Sequence, residues 1–112
     1  FELAQAEAAA VIAAAGIDAA SREEDATRRG DLISLRPIGG ERRGGGSTWQ
    51  SLARGAGSVE ADLLNGEIVL LGRLHGVATP VNALLQEVAN DLARRGAAPG
   101  SLTEDDLRAR LR

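Results

Sequence analysis

The stretch SVEADLLNGEIVLLGRLHGVATPVN, Ser58 to Asn82, reads as an amphipathic helix, a short turn and the start of a second helix. At about 100° per residue, Val59, Leu63, Leu64, Ile68, Leu70, Leu71 and Leu74 fall on one broad half of the cylinder. Asp62, Asn65 and Arg73 fall on the other half, while Glu60 and Glu67 land inside the apolar one. A carboxylate on a core-facing stripe must find a partner or change its protonation. Glu60 is therefore the leading candidate for chemistry. Ser58 is the expected cap of this helix, which places Glu60 in the first turn, where the helix dipole alone favours a negative charge. On the residues alone, Glu60 reads either as a site carboxylate or as a dipole-stabilised structural one. Glu67 is expected to pair with an arginine.

Asn65-Gly66 sits mid-helix, at a cost of about 1 kcal/mol for the glycine alone, and Gly72 adds a similar cost. Such penalties point to a close helix-to-helix approach or a distortion. Val69 lies on the polar side, which argues for burial on more than one face and makes this the central helix of an all-α domain. Gly76 ends it. Thr79 and Pro80 then read as the cap and first residue of the next helix. Val81, Leu84, Leu85, Val88 and Leu92 repeat at helical spacing up to Gly96. So short a connection predicts antiparallel neighbours. His75, near the first helix's C-terminus, suits a cation and reads as structural.

Upstream, Gly55-Ala56-Gly57 breaks the chain after a short helix over Ser47 to Arg54. Ser47 or Thr48 is placed to cap that helix, and Trp49 to anchor it in the core. Asp31 to Gly46 reads as a long loop. Its Arg36, Arg42 and Arg43 either meet an anionic ligand or a neighbouring domain, or are simply solvated. Ser21 to Glu24 has the pattern of a capping box opening a polar helix to about Arg29, with Gly30 as its stop. Glu2 to Ala15 is an alanine-rich helix with Ala4, Ala8, Val11, Ile12 and Ala15 on one face and Gly16 as its end, read as plain scaffold. At the other end, Pro99-Gly100 is a stop, and Ser101 or Thr103 caps a last helix. Acids in that helix's first turn and arginines in its last suit its dipole.

The central motif carries a resemblance. E-x-D-x-L-N-G followed by G-R-x-x-G-V-x-T-P-x-N resembles the C-terminal domain of ketopantoate reductases (2-dehydropantoate 2-reductases). The matching residues are Glu60, Asp62, Leu64, Asn65, Gly66, Gly72, Arg73, Gly76, Val77, Thr79, Pro80 and Asn82. Ser47 to Leu52 is similar to the family's short serine-rich helix. The resemblance implies an all-α helical bundle of the type shared with the 6-phosphogluconate dehydrogenase C-terminal domain. It also implies a reductase passing a hydride from NADPH to 2-dehydropantoate (ketopantoate), a 2-oxo acid, in the making of pantoate, pantothenate and coenzyme A. By the same resemblance Glu60 is the catalytic-site carboxylate, associated with a lysine and the nicotinamide end of the cofactor. The substrate-binding hydroxyl falls on Thr48 if the interval to Glu60 is kept, with Ser47 its neighbour; helix capping is the alternative role for both.

Composition bounds these readings. A chain of 112 residues suits one helical domain, here taken as 1–112. A net charge of −3 favours neither nucleic acid nor an anionic membrane. There is no Cys and one His, too few for thiolate or histidine metal sites. No apolar run reaches the roughly 18 residues of a membrane span, and the first residues lack a signal peptide's basic region; a cytoplasmic location follows as the expectation. All 13 cationic side chains are arginine, so lysine chemistry cannot be completed within this sequence. GGERRGGGS follows no strand and opens no long helix, so it does not read as a dinucleotide-binding turn. The start inside a helical pattern suggests a piece of a longer protein, with the cofactor domain and the lysine-bearing helix elsewhere. The competing function is a non-catalytic helical module for homodimerisation or docking to a separate cofactor domain.

Overall fold

The structure, a computed structural model, describes residues 1–30, 32 and 45–111. Among these, six helices and no strands appear: α1 Glu2–Ala14, α2 Arg22–Arg29, α3 Ser47–Ala53, α4 Ala61–His75, α5 Pro80–Arg94 and α6 Glu104–Arg110. The all-α expectation holds. The stretch read as a long loop with Arg36, Arg42 and Arg43 lies mostly outside the described residues.

The core is where α1, α4 and α5 meet, and α4 with α5 is the most extensive helix pair. The two run antiparallel, since Asp62 reaches Gln86 and Asn90 while Asn65 reaches Asn82. In α1 the expected stripe faces inward. Val11 is fully buried, and Ala4, Ala8, Ile12 and Ala15 are half-buried. The small side chains of this stripe let α1 approach both partners. Gly16, with φ 67°, closes α1 through two bonds, Gly16 N–H to Ala13 O (3.1 Å) and Ile17 N–H to Ile12 O (3.1 Å). This is the glycine-ended stop expected where only a residue without Cβ turns left-handed at no cost.

The packing of α4 reverses its expected orientation. Its buried residues are Ala61, Val69 and Gly72, on the side read as polar. Leu63 (70% exposed), Leu64 (55%), Leu70 (50%) and Leu74 (69%) face outward. The reason is size. A Cβ on Gly72 would lie 2.7 Å from the Val77 carbonyl oxygen and 2.8 Å from Thr79 Cγ2; one on Gly66 would lie 2.8 Å from Gln86 Nε2. The small residues form the face that fits against the chain's own helices, and leucines do not fit there. The glycine penalties noted in the sequence are thus explained by close approach.

Several local expectations change. Ser58 does not cap α4; Glu60 is its N-cap residue, with no side-chain capping bond, and its carbonyl accepts from Leu63 N–H (3.1 Å) and Leu64 N–H (3.0 Å). Before Ser58 the chain is in turns, with Ser51 O accepting from Ala56 N–H (3.0 Å) and Gly55 O from Gly57 N–H (3.0 Å). Trp49 is not a core anchor: it is 43% exposed and lies over Gly45, where a Cβ would overlap the indole. Glu67 is exposed and forms no ion pair among the described residues. The positions three and four residues away on its helix are Leu63, Leu64, Leu70 and Leu71, so no arginine is presented to it.

The ends of the fold follow the sequence closely. Ser21 Oγ accepts from Glu24 N–H (3.1 Å), but the Glu24 carboxylate turns to Arg28 and does not close the box. Thr103, not Ser101, caps α6, in a full capping box with Asp106. No helix of the described residues is long and apolar enough to cross a membrane.

Candidate functional site

The polar centre of the molecule lies at the start of α5. Pro80 occupies the first helical position, so the next two N–H groups, of Val81 and Asn82, point out of the helix end and need acceptors. Thr79 stands at the N-cap but its hydroxyl makes no capping bond. The acceptor comes from α1 instead. Glu7 Oε1 accepts from Val81 N–H (2.8 Å) and Oε2 from Asn82 N–H (2.9 Å). Asn82 Nδ2 also donates to Glu7 Oε2 (2.7 Å) and to Ala4 O (3.0 Å). Asn82 Oδ1 in turn accepts from Asn65 Nδ2 (2.9 Å) on α4. One buried asparagine, 3% exposed, therefore joins the three core helices with its side-chain amide fully used. Among the described residues no buried side-chain nitrogen or oxygen lacks a partner.

A second link sits one turn earlier on α4. Asp62 Oδ1 accepts from Gln86 Nε2 (2.8 Å) and Asn90 Nδ2 (2.7 Å) of α5. These two amides hold the Asp62 carboxyl below its ordinary value, Gln86 first and Asn90 next.

Glu60 stands at the N-cap of α4, exposed, with no hydrogen bond or ion pair to its carboxylate among the described residues. The exposed leucines Leu63 and Leu64 follow it one turn along the helix. Thr48 is half-buried and Ser47 exposed, in the first turn of α3, which rests on α5. The N-cap of α3 is Gly46, so the capping role open to Ser47 and Thr48 is not realised. No hydrogen bond among the described residues joins either hydroxyl to Glu60. Two surface grooves are formed elsewhere, one of about 670 Å³ between α1 and residues 17–22, the other of about 710 Å³ between α1, α5 and α6. Neither includes Glu60, Ser47 or Thr48. Among the described residues no group of three His, Cys, Asp or Glu is disposed to hold a metal.

Sequence reasoning missed Glu7 and Asn82 as the structural hub. The signal was present. Glu7 lies three residues after Ala4 and four before Val11, on the buried stripe of α1, and Asn82 is the third residue of a helix that opens on proline.

These features define an all-α helical domain with an unpartnered carboxylate at a helix start. The family model described as the ketopantoate reductase PanE/ApbA C-terminal domain matches residues 1–93. The chain belongs to that family. Neither the curated proteins nor the solved structures gave a match.

Proposed function

We propose that this chain forms the substrate-side wall of an NADPH-dependent ketopantoate reductase, with Glu60 as the catalytic-site carboxylate and Thr48 or Ser47 as the substrate hydroxyl. The observation that carries the reading is Glu60 itself. It is the glutamate of the family motif, it lies inside the matched residues, and, unlike the motif's Asp62, Asn65 and Asn82, its side chain is left without a partner among the described residues.

The chemistry divides between this chain and the rest of the protein. NADPH, bound by the cofactor domain, supplies the hydride that reaches the 2-oxo carbon. The proton for the carbonyl oxygen comes from a lysine ammonium outside this lysine-free sequence. Glu60 accepts a charge-assisted hydrogen bond from that ammonium or from the cofactor's nicotinamide end and so fixes its position. The Thr48 or Ser47 hydroxyl donates to the substrate. The product is pantoate, the 2-hydroxy acid that feeds pantothenate and coenzyme A synthesis. The exposed leucines of α4 favour a complementary role: docking to the cofactor domain, to a second copy, or both.

The test is Glu60→Gln in the full-length reductase. Loss of one charge-assisted bond of about 1.5–3 kcal/mol predicts roughly a 10- to 150-fold drop in kcat/KM. Because the residue is exposed, the melting temperature stays close to the parent's. Near-normal turnover returns Glu60 to the role of a dipole-stabilised structural acid.

A further inference from the structure

We propose that Asp62 is a positioning residue for Glu60: by tying the first turn of α4 to α5 through Gln86 and Asn90, it fixes where the Glu60 carboxylate points. The inference deepens the reading of Glu60 above and rests on it. Glu60 has no partner of its own, so its direction is inherited from the backbone that follows it. That backbone is the start of a helix with no side-chain cap, the part of a helix most prone to fray. Two contacts oppose fraying there. Ala61 is buried against the core, and Asp62 Oδ1 receives two amide donors, at 2.8 Å from Gln86 and 2.7 Å from Asn90, from successive turns of α5.

Gly66 belongs to the same device. It lies one turn after Asp62 on the same face, and a Cβ there would come within 2.8 Å of Gln86 Nε2. The glycine leaves open the path by which Gln86 reaches Asp62. The acid and glycine of the D-x-x-x-G spacing thus cooperate to lock the helix start on which Glu60 stands.

A double-mutant cycle in the full-length reductase separates positioning from stability. Asp62→Ala is expected to lower kcat/KM on the order of 10- to 100-fold, since a displaced catalytic group forfeits orientation. In a Glu60→Gln background the same change is expected to cost almost nothing further, because its effect passes through Glu60. Asp62→Asn keeps an acceptor oxygen and recovers most of the activity. All variants are assayed well below their melting temperatures. If Asp62→Ala does not fold, Gln86→Ala and Asn90→Ala each remove one bond and take its place in the cycle. Multiplicative losses, or a loss that follows melting temperature alone, overturn the proposal. An impaired Glu60→Gln beside a near-normal Asp62→Ala overturns it while leaving the Glu60 reading intact. A normal Glu60→Gln overturns both.

Discussion

Replacing Glu7 with alanine removes an acceptor on which three donors converge, two of them backbone groups at the start of α5. The Asn82 side chain keeps Ala4 O as a second acceptor, so it is not orphaned. The Val81 and Asn82 N–H groups have no such reserve, because the helix geometry gives them no carbonyl within α5. An unsatisfied buried polar group costs about 1–3 kcal/mol. Val81 is half-buried, so water reaches its N–H and the lower figure applies; Asn82 is 3% exposed, and the upper figure applies. The sum is about 4 kcal/mol, a large share of the roughly 5–15 kcal/mol that holds a domain together. At about 4–8 °C per kcal/mol for a domain near this size, the melting temperature falls by about 16 °C or more. Glu7→Gln should fall between the two, since it keeps one acceptor oxygen but turns an amide donor toward another donor. Thermal unfolding followed by circular dichroism measures both, with Glu67→Ala as the exposed control expected within about 0.5 kcal/mol of the parent. A Glu7→Ala melting temperature within about 3 °C of the parent would refute the view that α1 caps α5, at the scale set by the same conversion.

Three further outcomes are expected. Gly72→Ala puts a methyl group 2.7 Å from a backbone oxygen that cannot swing away, so it should destabilise by about 1–3 kcal/mol in a denaturant titration even though alanine is the better helix former. Asp62 titrates below its ordinary value in the folded chain, so the unfolded chain takes up the proton first as pH falls. Its contribution is therefore complete above about pH 4 and lost as the pH drops through the folded value; Asp62→Asn should flatten the acid side of a stability–pH curve, and an unchanged slope would count against it. The outward leucines Leu63, Leu64, Leu70 and Leu74 should make the isolated chain associate with increasing concentration in sedimentation velocity, while Leu63→Asp with Leu74→Asp should keep it monomeric; a parent that stays monomeric throughout speaks against an interaction face.

Much of the fold was legible because it rests on short-range rules. Glycines mark the ends of α1, α2, α4 and α5, proline opens α5, and Thr103 starts α6. What was not legible was which face of α4 points inward. Counting leucines assigns the buried side to the greater apolar area. In this molecule the partner helices fit only against Ala61, Gly66, Val69 and Gly72, so contact distance overrides hydrophobicity. The same blindness applies to Glu7, whose partner lies 75 residues away in Asn82 and is reached through helix packing that no local pattern encodes. Trp49 shows the converse error: a large apolar side chain was given to the core because of its area, yet it rests on Gly45 at the surface.

The reversed packing of α4 also sorts the residues of the motif by what they do. Asp62 and Asn65 face α5 and are consumed by hydrogen bonds to it; Gly66 and Gly72 keep the two helices close; Thr79 is buried against Gly72, and Asn82 joins α1 to both. Each is explained by the internal architecture of α1, α4 and α5, and Asp62 and Gly66 bear on Glu60 only through the helix start they hold in place. Glu60 and the leucines at 63, 64, 70 and 74 lie on the opposite side and satisfy nothing within the described residues. An apolar face of this breadth with a carboxylate at its end is costly to leave in water, whereas a partner surface that brings a cation to Glu60 would bury the leucines and neutralise the acid in one step. On this argument the acid and the leucines belong to one interface. Substitutions in the two groups should then separate in kind: apart from the Asp62–Gln86–Asn90 link, whose hold on the start of α4 also bears on turnover through Glu60, those facing α5 should act on melting temperature, and those on the outer face should act on assembly and turnover at nearly constant melting temperature.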